Sequence, residues 1–449
     1  MKRENPVRRI AVVGAGISGL SAAWLLSQRY EVTLYEAAGY LGGHTNTVDV
    51  TIDGVTHPVD TGFLVFNHHT YPNLTALFDE IDVESVETEM SFSVSLSSPE
   101  LEWAGSSLAT VFGQKRNLLR PAFWRMLSEV LRFNRESVDW LENDADETTT
   151  LRDYLERNRY SPAFADWYLL PMAAAIWSCP TGQMLEYPLL TFVRFCRNHG
   201  LLQVFDRPLW RTVKGGGRVY VEKLARAIVE NGSRIIPKTP VCHLERCRQG
   251  VRLTFADGVE HFDEVVLACH SDQALKILGT NASAREREIL GRLHYQPNRA
   301  LLHTDPALLP RDRSLWSAWN YLADGAAKGS ASGRPVAVSY LINRLQPVPF
   351  TTPLAVTLNP LREPAAEHVL AEFSYAHPIF DGPAIAAQRE LVDINGRDGI
   401  HYCGAWGGYG FHEDGLKSGL AVANALGCFA PWQTNQDRVV HVAKALEAV

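Results

Sequence analysis

The chain opens on a short apolar run, Arg9-Ile10-Ala11-Val12-Val13, that ends at a glycine. Unbroken apolarity over that length predicts a central parallel strand buried on both faces. Gly14-Ala15-Gly16-Ile17-Ser18-Gly19 follows, then Leu20 to Gln28 with the pattern of a helix. Val32 to Tyr35 is a second strand, and Glu36 stands at its end, 17 residues beyond Gly19. Later, Lys214-Gly215-Gly216-Gly217 precedes Val219, Val221, Leu224 and Ile228, a glycine turn opening an amphipathic helix. Arg234 to Leu244 predicts one strand. Arg252 to Phe255 and His261 to Ala268, across Asp257-Gly258, predict a hairpin-like pair, with Val265 to Ala268 returning to the main sheet. A final strand from Ile400 runs into a glycine loop, then a helix from about Gly415 to Gly427.

The blocks between these pieces differ in pattern. Residues 76–205 read as mostly helical. Residues 276–395 read as mixed, with strands near Ala300 to His303, Val336 to Ile342 and Ala355 to Leu358. Asn143 to Thr148 is an acidic surface connector, and Asp324 to Gly333 is a small-residue loop and a candidate for disorder. There are no internal repeats.

Composition narrows the class. With 449 residues, 46% hydrophobic and 21% charged, the chain is globular and long enough for two to four domains. A formal net charge of -7 argues against a nucleic-acid partner held by bulk positive charge. Seven cysteines without a C-x-x-C pair exclude a disulfide scaffold and a Cys-type zinc site, and no metal site is expected. They are expected to be small buried hydrophobes in a reducing compartment. The 19-residue charge-free stretch Trp167 to Leu185 is interrupted by Pro171, Pro180 and Gly182, too soon for a membrane span of about 20 residues. The expected location is the cytoplasm, soluble or peripheral on the inner face of the membrane.

The first fifty residues carry the chemistry. Gly14 permits a tight turn, Gly16 lets backbone approach a pyrophosphate, and Gly19 lets helix and strand pack closely. The helix start offers unpaired N–H groups and positive dipole to phosphate. Glu36 can accept hydrogen bonds from a ribose. Strand, turn, helix, second strand and acid together make a dinucleotide site.

Gly39-Tyr40-Leu41-Gly42-Gly43-His44-Thr45 and Val59-Asp60-Thr61-Gly62-Phe63 then resemble the extended FAD motif of the amine oxidase and carotenoid desaturase superfamily. The resemblance implies an α/β fold: a Rossmann-like FAD-binding domain built from discontinuous segments (1–75, 206–275, 396–430), an α+β substrate domain (76–205, 276–395) and a C-terminal tail (431–449). It implies FAD contacts from Gly14, Ala15, Gly16, Ser18, Gly19, Glu36, Gly42, Gly43, His44, Thr45, Thr61, Gly62, Phe63 and Val241. Gly404, Asp414, Gly415 and Leu416 belong to its closing motif, whose helix points at the flavin. His44 stands where the superfamily usually has Arg. Cys403 reads as a buried thiol, so non-covalent FAD is expected.

Blocks at Thr61 to Asn67 with Thr70 to Leu74, Pro171 to Ser178, Asn198 to Leu202 with Trp210 to Val213, and Gly410 to Gly415 narrow the likeness further. They resemble a bacterial FAD-dependent oxidoreductase family associated with cyclopropane, methyl-branched and furan fatty acid formation. That implies desaturation of a methylated acyl chain of phospholipid, with a lipid methyltransferase as a candidate partner. A soluble amine oxidase and a flavin-binding accessory subunit of such a methyltransferase stay open as alternatives.

Catalytic residues are unassigned. His68, Tyr409 and His412 are candidates, each weighed against surface exposure or local hydrogen bonding. Tyr409, Trp406, Trp177 and Phe411 are candidate walls of an apolar channel, weighed against plain core packing. Ser107 to Arg135 holds Lys115, Arg116, Arg120, Arg125, Arg132 and Arg135 against Glu129 alone. With Trp124 and Leu131 on its polar side, this segment suits an anionic membrane surface, against the alternative of an ordinary solvated helix face. Arg194, Arg197, Arg207 and Arg211 form a second basic stretch.

Overall fold

In the computed structural model, which describes residues 8–203, 208–324 and 337–434, the first apolar run is the middle of a five-stranded parallel sheet. The order is Arg234–Ile236, Glu31–Tyr35, Arg9–Val13, Glu264–Leu267, Ile400–Tyr402. Val12 pairs with Leu34 on one side and Val266 on the other. Ile10, Ala11 and Val12 are fully buried, as a strand covered on both faces must be. On one face lie the helices Ile17–Ser27, Arg218–Glu230 and His412–Ala425, sharing a core with Val12, Leu20, Leu224 and Leu416. On the other face Leu244, Leu253, Ile277 and Trp406 pack against Val13 and Leu267.

Three boundaries differ from the sequence reading. Arg234 to Leu244 is two strands in two sheets, Arg234–Ile236 and His243–Arg246. Pro237 and Pro240 lie between them, and proline has no N–H for a ladder. His261 to Ala268 also divides: Val259–Phe262 closes an antiparallel hairpin and Glu264–Leu267 enters the main sheet. The last helix starts at His412, a turn early, because Asp414 reaches back to accept the Phe411 N–H at 3.0 Å.

A second, seven-stranded sheet draws on distant parts of the chain. Its order is Val369–Ile379, His294–His303, Ala355–Leu358, Ala337–Leu341, Trp319–Ala323, Phe92–Ser97, Glu100–Ala104. Residues 76–205 are mostly helical, as expected, yet they also supply two strands of this sheet. The period-2 alternation of Phe92, Val94 and Leu96 is the strand signal there. The helix Pro121–Asn143 packs Phe123, Met126, Phe133 and Trp140 into this half of the core. The charge-free stretch becomes a π-helical turn, Ala165–Leu169, and the short helices Leu170–Trp177 and Thr181–Leu185. No helix among the described residues is long and apolar enough to cross a membrane.

Apart from Asp324, the Asp324 to Gly333 loop lies outside the described residues, as do Arg207 and the tail past Thr434. All seven cysteines are free. Cys179, Cys196, Cys403 and Cys428 are buried as expected, but Cys242 is exposed and Cys247 and Cys269 partly so.

Candidate functional site

The glycine turn sits at the carboxyl end of the middle strand, where an open parallel sheet places its ligand crevice. Gly14 has φ +105°, and a Cβ there would lie 2.9 Å from the Ala268 carbonyl oxygen. At Gly19 a Cβ would lie 1.8 Å from the Gly14 oxygen. Gly16 is different. Its φ of -72° suits any residue, and a Cβ there meets nothing within 4 Å. The helix starting at Ile17 has no side-chain cap, so its first N–H groups have no capping side-chain acceptor.

Glu36 closes the turn from the second strand. One carboxylate oxygen accepts the Ala15 N–H at 2.7 Å and the other the Ala38 N–H at 2.8 Å. The acid thus shapes the turn itself, a role that spacing alone does not reveal. Its own carbonyl accepts the Thr239 N–H at 2.8 Å, which brings the Val241 segment to the same edge.

The second glycine motif lies directly against the first. Gly42 donates to the Ala15 carbonyl at 2.8 Å, and a Cβ on Gly43 would be 3.2 Å from Gly16 Cα. His44 and Phe63 are tied by a backbone bond of 3.0 Å, and Gly62 packs on the His44 carbonyl. Thr61 donates to the Asn46 carbonyl at 2.9 Å. Thr45 Oγ1 lies 2.6 Å from Tyr220 OH and 2.9 Å from His412 Nε2, and the His412 ring stacks on Phe63 at 3.7 Å.

The third segment completes the enclosure. Gly415 and Gly419 let the closing helix rest on the nucleotide helix, since a Cβ on Gly419 would lie 2.4 Å from the Ser18 oxygen. Ser18 and Leu416 are buried where these helices meet, and Gly404 donates to Ser418 Oγ at 3.0 Å. Burial raises the Asp414 carboxyl to about 6. It lowers His412 to about 3, so this imidazole is neutral over the physiological range.

Three separated segments therefore pack about one glycine turn, which sets an uncapped helix start beside the Glu36 carboxylate. That arrangement fits a dinucleotide whose diphosphate lies at Gly16.

The candidate catalytic and wall residues fall in different places. His68 is exposed, as is its neighbour His69. Tyr409, Phe411 and Trp177 gather around Phe195 at 5.7, 4.9 and 4.6 Å, with His199 stacked on it at 3.9 Å. Trp406 is not among them; it lies in the core behind the parallel sheet and donates to the Cys269 carbonyl at 3.0 Å. Sequence reasoning did not find His270, His377 or Tyr375, whose rings stand 5.9, 5.4 and 5.2 Å from His44. For His270 the signal was its place just past a strand's carboxyl end; for the other two there was none.

The basic segment is in several pieces: Leu108–Val111, a turn at Lys115–Leu119 and the long helix Pro121–Asn143. Leu108, Leu119 and Leu131 are 80%, 86% and 61% exposed, and Leu118 and Trp124 are about half exposed. Several cations are already paired: Arg116 with Glu100 at 2.6 Å, Arg125 with Glu129 at 3.1 Å, Arg132 with Glu136 at 3.4 Å. Arg132 also lies over the Tyr160 ring at 3.8 Å. Arg120 donates to Asn117 Oδ1, while Lys115 and Arg135 are exposed.

Comparison with known proteins gives three findings. The family model for flavin containing amine oxidoreductases matches residues 17–309. Among curated proteins, carotenoid phi-ring synthase of Streptomyces griseus is 26% identical over 327 residues, 67% of this chain and 58% of that protein. Polyenoic fatty acid isomerase of Ptilota filicina is 34% identical over 139 residues, 29% of this chain and 27% of that protein. The chain thus matches under two thirds of the length of either relative. Among solved structures, a CLA-producing fatty acid isomerase from P. acnes superposes with a TM-score of 0.64 at 14% identity, covering 92% of this chain and 97% of that one. Cyclohexylamine oxidase of Brevibacterium oxydans gives 0.63 at 17%, covering 94% and 100%. These two likenesses establish the fold.

Proposed function

The chain belongs to the flavin containing amine oxidoreductase family, and from that premise we propose that it binds FAD non-covalently and desaturates an acyl chain of membrane phospholipid. The observation that carries the cofactor is the open space at Gly16, bounded by Gly43, Glu36 and the first turn of the Ile17–Ser27 helix. Bound FAD would supply the acceptor for a hydride leaving a substrate C–H bond. Cys403 is buried with its thiol pushed well up by desolvation, which supports a non-covalent site.

The chain's own residues would hold and shield. Gly14 makes the tight turn, Gly16 and Gly43 would admit the diphosphate, and Glu36 has lone pairs left for the adenosine ribose. The helix His412–Ala425 favours negative charge at its start. Phe195, Phe411, Tyr409 and Trp177 offer an apolar wall that keeps water from a hydrocarbon chain. The acyl substrate is supported by the resemblance to the fatty acid-modifying family and by the lipid-directed names of both curated relatives. Such a chain, methyl-branched and already unsaturated, is weakest at the C–H beside its double bond.

The exposed Leu108, Leu118, Leu119, Trp124 and Leu131 with Lys115, Arg120 and Arg135 support docking on an anionic bilayer. The enzyme would then reach its substrate from the cytoplasmic face. The test is anaerobic. Methylated unsaturated phospholipid should bleach the flavin absorbance and yield a product two hydrogens lighter. Bleaching by a primary amine but by no lipid would replace this reading with an amine oxidase.

A further inference from the structure

Just past the glycine pair, imidazoles from three remote parts of the chain come together. His44 follows Gly43, which packs on Gly16. His270 follows the strand Glu264–Leu267; two residues before it, Ala268 donates to the Val13 carbonyl at 2.8 Å and crowds Gly14. His377 comes from the edge strand Val369–Ile379 of the second sheet. The His44 ring is 5.9 Å from His270 and 5.4 Å from His377. All three residues retain some open surface, as residues lining a recess do. His44 Nε2 itself is sealed from solvent and has no hydrogen-bond partner. A buried ring nitrogen left unpaired costs free energy unless a ligand engages it.

The surrounding charges are known. His44 feels His377, His270 and His412, each of which disfavours its protonation. Desolvation and these neighbours hold it at about 3, and desolvation first, then His270, holds His377 at about 4. His270 is lowered by burial, against a weaker opposing pull from Asp272, and its ring stacks on Tyr295 at 4.4 Å. Tyr375 stands 5.2 Å from His44, and Asn298 Nδ2 lies 3.2 Å from His377 Nδ1. Among the described residues, no lysine or arginine is one of the main groups acting on these three rings.

We infer that His44, His270 and His377 form a proton-accepting lining for the FAD diphosphate, so that cofactor binding takes up a proton and strengthens as pH falls. The inference rests on the flavin reading above. The physical reason is charge balance. A diphosphate carries two negative charges into a place where burial disfavours uncompensated ions. The helix start supplies only about half a positive charge. An anion within about 4–6 Å raises a neighbouring imidazole by about 1–3 pH units. In the complex that charge moves these rings from their depressed positions in the free protein back toward the ordinary imidazole range. Affinity is then flat at high pH and climbs below the complex's pKa, at most tenfold per pH unit for one proton.

The test is titration of FAD into full-length, flavin-depleted protein by calorimetry. Two buffers of different ionisation enthalpy separate proton uptake from binding heat. Between about pH 8 and about pH 5.5, wild type should bind tighter by roughly threefold to tenfold, with uptake of a measurable fraction of one proton. His44→Arg should bind with a flat pH profile and tighter than wild type at the high end. His44→Gln should bind without the pH dependence while its flavin-free melting curve at neutral pH stays in place, so a folding defect is excluded. His377→Gln and His270→Gln apportion the proton if His44→Gln retains part of it. Tight FAD binding by wild type with no proton uptake would overturn the inference and leave the flavin reading standing, as would uptake unchanged in all three glutamine variants. A wild type that rejects FAD at every pH would instead overturn the flavin reading, and this inference with it.

Discussion

A methyl group added at Gly16 enters the space proposed for the diphosphate and touches nothing else in the protein. Gly16 has φ -72° and ψ 179°, which alanine adopts freely, and its Cβ would find no protein atom within 4 Å. Gly16→Ala should therefore leave the flavin-free fold intact, or raise its stability by about 0.4–1 kcal/mol through loss of unfolded-state entropy. FAD would have to retreat from the helix N–H groups. Two charge-assisted hydrogen bonds at about 1.5–3 kcal/mol each make that a loss of about 3–6 kcal/mol, a factor of roughly 10² to 10⁴ in affinity. Gly19→Ala is the contrast. Its Cβ would sit 1.8 Å from the Gly14 oxygen and 3.1 Å from Ala268 Cβ, so backbone must move, at a cost of about 1–3 kcal/mol or more. Chemical denaturation of both flavin-free variants, followed by FAD titration, separates the two effects. If Gly16→Ala loses more than about 1 kcal/mol of flavin-free stability, or binds FAD as wild type does, the reasoning is wrong.

Other outcomes follow from the same geometry. Glu36→Gln keeps the shape but turns an amide nitrogen toward the Ala15 or Ala38 N–H; denaturation should show a loss of about 1–3 kcal/mol even without FAD. His412 is held neutral by burial at about 3, against about 6.5 in the unfolded chain. Its stabilising contribution is full above about 6.5 and is lost as pH falls toward 3, because the unfolded chain binds the proton first. In flavin-free protein, His412→Gln should flatten that acid slope by up to about 1.4 kcal/mol per pH unit, as read by urea titration at several pH values. Leu118→Ser with Leu119→Ser and Trp124→Ser should cut sedimentation with anionic liposomes at least tenfold while sparing the flavin spectrum. Reversing Arg132 should destabilise the protein as well, since it pairs with Glu136 and covers Tyr160. His68→Gln should leave turnover within about twofold, because the side chain is exposed.

The local half of this protein is legible from one end to the other. A strand ending at Gly14-Ala15-Gly16, a helix just past that turn and an acid after the next strand are dictated by neighbours in sequence. The constraints there are backbone conformation, N–H supply and close packing over a few residues. The same is true of the exposed Trp124 and Leu131 on the long helix, though not of Leu108, Leu118 and Leu119 or of the ion pairs. What required the tertiary structure is every contact made across the chain. Spacing does not reveal that Glu36 spends both oxygens on backbone N–H groups, that His412 locks to Thr45 and Tyr220, or that Trp406 leaves the aromatic group around Phe195. Nor does it reveal that His44 meets His270 and His377. Those rings are set by how two sheets from interleaved segments come to rest against each other, and a single histidine far along the chain carries no local pattern that marks where it will be buried.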